Sequence, residues 1–330
     1  MSDIDDYIKE ITDNVNTLME GEIKGEVREL YEASKHLIRT GGKRLRPTIL
    51  VASLDLVGGE RKRGYYGGAA VEVLHTFTLI HDDIMDQDSF RRGVPTVHVK
   101  YGVPMAILAG DLLHAEAFRL LNMAARGLDS ERMYKIFDMF SNAIVMISEG
   151  QAMDMSFENR WDITVQEYLE MIEKKTAYLF AASAGLGALI GNANEEEVNN
   201  LFNYGINLGI SFQIVDDILG LTADEKTLGK PVFSDIREGK KTILVLKALD
   251  EAPEEEKKII KENLGNRNLS REELSQTADI IKKYSLDYSY KLAEDYMNKA
   301  LDYLNKINVR NELAKKVLEY LAVFTVKRRY

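Results

Sequence analysis

Apolar residues recur at helical spacing along almost the whole chain. Val71, Leu74 and Thr78 lie three or four positions apart, and Leu169 and Ile172 repeat this spacing farther on. Such a period places the residues on one face of a helix. The alternation with a period of two, bounded by Asn-Gly or Asp-Gly turns, that indicates a β-hairpin is missing from the sequence. The pattern therefore predicts an all-α protein.

Turn and capping residues divide this pattern into roughly ten or more helices. Gly41 and Gly42 end one helix, and Thr164 with Glu167 three positions on forms a capping box that begins another. We expect loops at about 57–64, 87–103, 155–163, 191–195 and 221–238. Because no stretch resembles a linker, the sequence predicts one all-α domain over residues 1–330, packed as a helical bundle.

Composition narrows the class of protein. Cysteine is absent, which excludes disulfides and thiolate chemistry. The net charge of −10 argues against non-specific binding of nucleic acid, which needs a basic face. The N-terminus is acidic and has no apolar signal core, and no stretch approaches 18 consecutive apolar residues. We therefore expect a cytoplasmic protein without a membrane span.

Two acidic clusters lie inside apolar, helix-like sequence, at residues 82–86 (Asp-Asp-Ile-Met-Asp) and 216–220 (Asp-Asp-Ile-Leu-Gly). An unpaired buried carboxylate costs several kcal/mol. Asp82 and Asp86 are four positions apart and share one helix face. Two such clusters need a cationic partner, and hard divalent metals, which take oxygen ligands, are the obvious candidates.

Basic residues, several beside glycines, accompany the acidic clusters. They are Lys43, Arg44, Arg46, Arg91, Arg92, Lys174, Lys175, Lys230, Lys240 and Lys241. Each alone is typical of a solvated surface. Beside the carboxylates they indicate Mg²⁺ bound to a diphosphate whose remaining oxygens are held by lysine and arginine. A P-loop and a His-Glu-x-x-His zinc motif are both absent from the sequence.

Taken in chain order, these motifs resemble the trans-isoprenyl diphosphate synthases, or polyprenyl synthetases, and within them the archaeal-type geranylgeranyl diphosphate synthases. The motifs are Gly-Gly-Lys-Arg-Leu-Arg-Pro (41–47), Asp-Asp-Ile-Met-Asp (82–86), Arg-Arg-Gly (91–93), Lys-Thr-Ala (175–177), Phe-Gln-Ile-Val-Asp-Asp-Ile-Leu (212–219), Gly-Lys-Pro (229–231) and Asp-Ile-Arg-Glu-Gly-Lys (235–240). The resemblance implies a helical bundle around a central cavity, a homodimer, and condensation of isopentenyl diphosphate with allylic diphosphates.

The resemblance also implies residue roles. Three Mg²⁺ ions would be held by Asp82, Asp86 and Asp216, with Asp83 and Asp217 acting through metal-bound water. The allylic diphosphate would contact Arg91, Lys175, Lys230 and Lys240. Isopentenyl diphosphate would be held by Lys43, Arg46, His75 and Arg92. Thr176 and Gln213 would place oxygens near the developing carbocation, so that Lys175, Thr176, Gln213 and Lys230 form the catalytic set.

Product length would be measured on the helix of the first cluster. At 1.5 Å rise per residue, Thr78 lies about 6 Å before Asp82 and Phe77 about 7.5 Å before it. Phe77, Thr78 and the deeper Leu74 are thus expected to form the floor of the pocket that holds the growing hydrocarbon tail. The alternative that Phe77 is an ordinary core residue stays open. The resemblance implies geranylgeranyl diphosphate from C5, C10 and C15 starters, with farnesyl diphosphate as a further product left open.

Gly220 departs from the family pattern, which often has a third aspartate there. We expect activity to be kept, with altered metal dependence. Three alternatives remain: a farnesyl diphosphate synthase, a regulatory subunit of a heteromeric prenyl synthase, and a class I terpene cyclase. A regulatory subunit would lose site residues, and a cyclase would more typically carry Asn/Asp-x-x-Ser/Thr-x-x-x-Glu instead of the second Asp-Asp pair.

Overall fold

The computed structural model describes residues 3–223 and 233–327. Helices dominate these residues, and the all-α prediction is confirmed. The first eight are α1 (Asp3–Glu22), α2 (Arg28–Arg39), α3 (Leu45–Leu56), α4 (Arg61–Met85), α5 (Val97–Tyr101), α6 (Val103–Ala125), α7 (Ser130–Phe157) and α8 (Val165–Ile172). The others are α9 (Tyr178–Ile190), α10 (Glu195–Thr222), α11 (Ser234–Glu238), α12 (Ile243–Glu251), α13 (Glu254–Asn263), α14 (Arg271–Leu304) and α15 (Glu312–Lys327).

A short β-hairpin follows α4, which the sequence pattern did not predict. Strand β1 (Phe90–Arg91) pairs antiparallel with β2 (Val94–Pro95). Arg92 and Gly93 form the turn with φ of 53° and 76°, the left-handed geometry that suits the twist of a two-residue hairpin loop. Strands of two residues are too short to show alternation. The hairpin carries two predicted site residues, Arg91 and Arg92.

A π-helix, Glu173–Ala177, joins α8 to α9. Glycines on two neighbouring helices allow close approach to its backbone. A Cβ at Gly150 of α7 would collide with the backbone of Lys175, and a Cβ at Gly209 of α10 with that of Ala177. Such π-turns are frequent at functional sites, and this one carries Lys175 and Thr176.

The chain forms two compact units. The first unit comprises Met1–Ala143, Leu179–Gly205 and Tyr303–Leu321, and the second unit comprises Ile144–Tyr178, Ile206–Asp302 and Ala322–Tyr330. The single domain expected over residues 1–330 stays a prediction. None of the described helices is both long and apolar enough to cross a membrane.

In the first unit, α4 packs against α3 and α6. Its buried face includes Val71 and Leu74. Arg44, at a left-handed φ of 47° before α3, forms a buried ion pair of 2.7 Å with Glu72 of α4. Because a buried charge is tolerated only with such a partner, Arg44 anchors the glycine-rich segment 41–47 to the core and is a structural residue.

In the second unit, α8, α12, α14 and the C-terminal part of α10 share a core. Ile214, Ile218, Ile243 and Ile281 are among its buried members. The capping box predicted for α8 is confirmed, since the side chain of Thr164 accepts from the backbone of Glu167 and the reciprocal bond is also present. Residues 234–238, which were predicted as part of a loop at 221–238, form helix α11, and this helix carries Asp235.

Candidate active site

The first acidic cluster occupies the C-terminal end of α4. Asp86 caps the helix, and its N–H donates to the carbonyl of Asp82 over 2.8 Å. The side chain of Asp82 is 20% exposed, whereas that of Asp83 is fully buried. Asp82 and Asp86 therefore lie one turn apart, while Asp83 is directed toward protein groups.

Asp83 is the anchor of the hairpin. The Nε of Arg91 donates to Asp83 Oδ1 over 2.6 Å, and Nη2 of Arg91 lies 4.0 Å from Asp82 Oδ2. Burial raises the pKa of Asp83 to about 6, although the Arg91 charge acts in the opposite direction. Among the described residues, Asp83 Oδ2 has no hydrogen-bond partner. The carboxylate thus fixes Arg91 beside Asp82.

A second group of predicted residues lies at the start of α3 and the middle of α4. Nη1 of Arg46 donates to Nε2 of His75 over 3.2 Å, and the Arg46 guanidinium lies 4.4 Å above the Phe180 ring. Burial holds the pKa of His75 well below its usual 6.5, and the charge of Arg46 acts in the same direction. His75 is therefore a neutral acceptor here, protonated on Nδ1.

The hairpin turn closes onto the glycine segment. Nη1 of Arg92 donates to the carbonyl of Gly41, and the guanidinium lies against Gly42 so closely that a Cβ there would come within 3.2 Å of it. Lys43, next in the chain, is exposed. The four residues predicted for isopentenyl diphosphate thus all belong to the first unit.

In the second unit, adjacent lysines on the π-helix have different partners. Nζ of Lys175 donates to Asp154 of α7 over 2.6 Å. Lys174 instead pairs with Glu149 at 2.9 Å and Glu170 at 3.0 Å. Both lysines thus contact carboxylates of α7, Lys175 through Asp154 and Lys174 through Glu149.

Four side chains form a continuous hydrogen-bonded chain, which we call the Tyr168–Thr176 chain. The hydroxyl of Tyr168 donates to Asp217 Oδ2 over 2.5 Å, and Nε2 of Gln213 donates to Asp217 Oδ1 over 2.9 Å. The hydroxyl of Thr176 donates to Gln213 Oε1 over 2.9 Å. Burial raises the pKa of Asp217 to about 7, against the lowering effect of the Tyr168 bond. The structure thus connects two predicted catalytic residues to the second Asp-Asp pair.

The space beside Gly220 is filled by another carboxylate. A Cβ built at Gly220 would lie 2.5 Å from Asp235 Oδ2. Asp235 therefore brings a carboxyl group to the position where the family pattern often has an aspartate. Lys240, close behind it in the chain, pairs with Glu238 at 3.0 Å. Lys230 lies outside the described residues.

The predicted chain-length residues lie in the first unit. Leu74 is fully buried, and the hydroxyl of Thr78 donates to the carbonyl of His75 over 2.7 Å. The half-buried Phe77 packs between two rings, with centroid distances of 4.9 Å to His81 and 5.3 Å to His114. Phe77 therefore packs against α6 through His114.

Comparisons with known proteins identify the same family as the sequence motifs. A family model for polyprenyl synthetase matches residues 27–281. The chain belongs to the polyprenyl synthetase family. As a polyprenyl synthetase it is a prenyltransferase, and the resemblance inferred from the motifs is confirmed.

This polyprenyl synthetase is 63% identical to the geranylgeranyl diphosphate synthase of Sulfolobus acidocaldarius, with 100% of both chains covered. It is 58% identical to that of Saccharolobus solfataricus, covering 99% of this chain and 98% of the relative. The crystal structure of geranylgeranyl pyrophosphate synthetase from Pyrococcus horikoshii superposes with a TM-score of 0.90 at 40% identity, covering 99% of this chain and 100% of that one.

Polyprenyl synthetases use Mg²⁺, and the donors present suit this ion. Within residues 3–223 and 233–327, no three histidine or acidic side chains already form a metal-binding group. Mg²⁺ is usually bound through one or two carboxylates with substrate phosphates and water as the other ligands. The carboxylates of Asp82 and Asp86, one helical turn apart, match that mode.

Sequence reasoning missed three polar residues of this polyprenyl synthetase. Asp154 and Tyr168 pair with the predicted residues Lys175 and Asp217, and Gln151 lies one turn before Asp154 on α7. Both amide atoms of Gln151 are buried without a hydrogen-bond partner in the described chain. The available signal was weak: two polar residues three positions apart, at 151 and 154.

Proposed function

We propose that this polyprenyl synthetase is a geranylgeranyl diphosphate synthase, which condenses isopentenyl diphosphate with C5, C10 and C15 allylic diphosphates. The observation that carries the assignment is the 63% identity over full length to a geranylgeranyl diphosphate synthase. The site chemistry supports it, because the guanidinium of Arg91, a group suited to diphosphate oxygens, lies 4.0 Å from the carboxylate of Asp82, a group suited to Mg²⁺. Farnesyl diphosphate as a further product is the second candidate, since Phe77 is a bulky, half-buried side chain five positions before Asp82 on the same helix.

In this proposal Asp82 and Asp86 would hold two of three Mg²⁺ ions, and Asp216 would hold the third. The chemistry that Mg²⁺ would supply at these carboxylates is neutralisation of the negative charge on the departing diphosphate. Asp83 and Asp217 contribute through water as well as through the protein partners described above. Arg91, Lys175, Lys230 and Lys240 bind the remaining oxygens of the allylic diphosphate, and Asp235 supplies a carboxylate beside Gly220.

The reaction begins with heterolysis of the allylic C–O bond, whose electron pair stays on the diphosphate. Arg91 and Lys175 are positively charged donors that stabilise the negative charge formed there. Asp83 and Asp154 orient these two cations, so little reorganisation accompanies bond cleavage. The oxygens of Thr176 and Gln213 stabilise the allylic cation electrostatically.

The double bond of isopentenyl diphosphate then attacks the cation, and the carbon–carbon bond forms. Lys43, Arg46, His75 and Arg92 bind the diphosphate of this substrate, with neutral His75 oriented by Arg46. The proton lost from the condensed intermediate passes to the diphosphate just released. A side-chain base is not needed.

The experiment is incubation with Mg²⁺, isopentenyl diphosphate and each allylic starter, followed by chromatographic sizing of the dephosphorylated products. We expect the C20 alcohol as the main end product from all three starters. Accumulation of C15 alone would assign a farnesyl diphosphate synthase, and no condensation by the chain alone would favour a regulatory subunit. Light scattering of the same sample tests the proposed homodimer, and the cytoplasmic location stays a prediction.

Chain length is tested by Phe77→Ala. Removing the ring opens space beside His114, so we expect products longer than C20 by one or more C5 units. Tyr134→Ala on α7 is the control, because Tyr134 is 70% exposed and its loss opens no buried space. An unchanged distribution in Phe77→Ala would remove Phe77 as the floor of the pocket.

A further inference from the structure

We infer that Tyr168 is a positioning residue for the condensation. Its hydroxyl fixes Asp217, and Asp217 in turn fixes the orientation of the Gln213 amide and the Thr176 hydroxyl. The inference rests on the proposed function, in which Thr176 and Gln213 face the allylic cation.

Burial and hydrogen-bond geometry define the role of Tyr168. The residue is 1% exposed, and its hydroxyl lies 2.5 Å from Asp217 Oδ2. The other oxygen of Asp217 accepts from Gln213. Both carboxylate oxygens are therefore occupied by donors from different elements, α8 and α10, which fixes the plane of the carboxylate.

The fixed carboxylate determines which end of the Gln213 amide faces which neighbour. A carboxylate accepts hydrogen bonds, so the NH₂ group of Gln213 must face Asp217, and the amide oxygen must face Thr176. The hydroxyl of Thr176 has one proton, and that proton is committed to Gln213 at 2.9 Å. The lone pairs of the Thr176 oxygen are left for a positive charge.

Without the Tyr168 hydroxyl, Asp217 loses one of its two donors in a buried setting. A buried acceptor left without a donor is costly, so the side chain turns to find another. The Gln213 amide is then free to flip and present NH₂ toward Thr176. The Thr176 oxygen would then accept a hydrogen bond from that NH₂ group, and the lone pair that it uses would no longer face the allylic cation.

The test is Tyr168→Phe, which deletes one oxygen and keeps the ring. We expect the single-turnover rate constant for condensation to fall about tenfold, with KM for isopentenyl diphosphate unchanged. Tyr204→Phe is the matched control: Tyr204 is equally buried and donates to the carbonyl of Leu318 over 2.7 Å in the first unit. We expect a comparable change in melting temperature for both variants and a rate loss only for Tyr168→Phe.

A double-mutant cycle separates positioning from general loosening. In a Gln213→Met background, Tyr168→Phe should cause no further loss of the single-turnover rate, because Tyr168 acts through Gln213. An equal loss in both backgrounds, or a wild-type rate in Tyr168→Phe, would overturn the inference. Failure of the proposed function is distinct, since the wild-type protein would then catalyse no condensation.

Discussion

In each Asp-Asp pair the second aspartate is held by protein donors. Asp83 accepts from Arg91, and Asp217 accepts from Tyr168 and Gln213. The first members, Asp82 and Asp216, precede them by about 100° around their helices. The second aspartate of each pair thus orients a polar side chain, Arg91 in the first pair and Gln213 in the second. The sequence alone does not show that the two adjacent aspartates differ in this way.

Lys174 and Lys175 give a sharp test at the residue scale. We expect Lys175→Ala to lower kcat/KM for the allylic substrate about 10²- to 10³-fold, the usual cost of removing one donor from a developing anion. Lys174→Ala should stay within about twofold, because an exposed ion pair contributes little. Steady-state kinetics at saturating isopentenyl diphosphate measure both. Equal losses in the two variants would contradict the role of Lys175.

Gly220→Ala tests the carboxylate of Asp235. The new methyl group requires the tip of Asp235 to move, so we expect a several-fold rise in the Mg²⁺ concentration for half-maximal activity. Gly21→Ala is the control, because a Cβ at Gly21 meets nothing within 4 Å. Identical Mg²⁺ titrations for the two variants would show that Asp235 is not part of the site.

At the scale of elements, the helices were predictable and the two departures from them were not. Periodicity, the capping box at Thr164 and the glycines at 41–42 all report local geometry. The hairpin of Arg91 and Arg92 is too short for periodicity, and the π-helix at 173–177 differs from α-helix by one residue in a turn. The residues that leave room for its backbone are distant in sequence: Gly150 on α7 and Gly209 on α10.

Gly93→Ala tests the hairpin. Gly93 has φ of 76°, and a left-handed alanine costs about 1–2 kcal/mol. Gly127, in the loop after α6, has φ of 79° and equally open surroundings. We expect both alanine variants to lose similar unfolding free energy in urea, and only Gly93→Ala to raise KM for isopentenyl diphosphate, since the turn orients Arg92. A normal KM in Gly93→Ala would mean that hairpin geometry does not matter for binding.

At the scale of the molecule, the order of motifs along the chain was sufficient to identify the family, because each motif is a short run that carries acidic or basic residues and can be recognised without the fold. The partners that fix those motifs were not predictable. Tyr168 and Asp217 are 49 positions apart, and Arg46 and His75 are 29 apart. Such pairs depend on how helices pack, which a helical period does not specify.

The same packing makes global stability depend on pH through His75. The folded protein disfavours a proton on His75, whereas the unfolded chain binds one below about pH 6.5. The contribution of His75 to the unfolding free energy should therefore decrease as pH falls below that value, by up to about 1.4 kcal/mol per pH unit, whereas the raised pKa values of Asp83 and Asp217 contribute in the opposite direction. The effect is opposite in sign to that of a histidine that gains an acidic partner on folding.

His75→Gln isolates this contribution, because glutamine retains an acceptor for Arg46 and does not titrate. On going from pH 7.0 to 5.5 without Mg²⁺, the unfolding free energy measured in urea should change by about 1 kcal/mol more in the stabilising direction in His75→Gln than in the wild-type protein. His36→Gln is the control, since His36 bonds the carbonyl of Pro95 at the exposed surface. A wild-type pH dependence in His75→Gln would mean that the folded protein accommodates the His75 proton, and Arg46 would then need another acceptor.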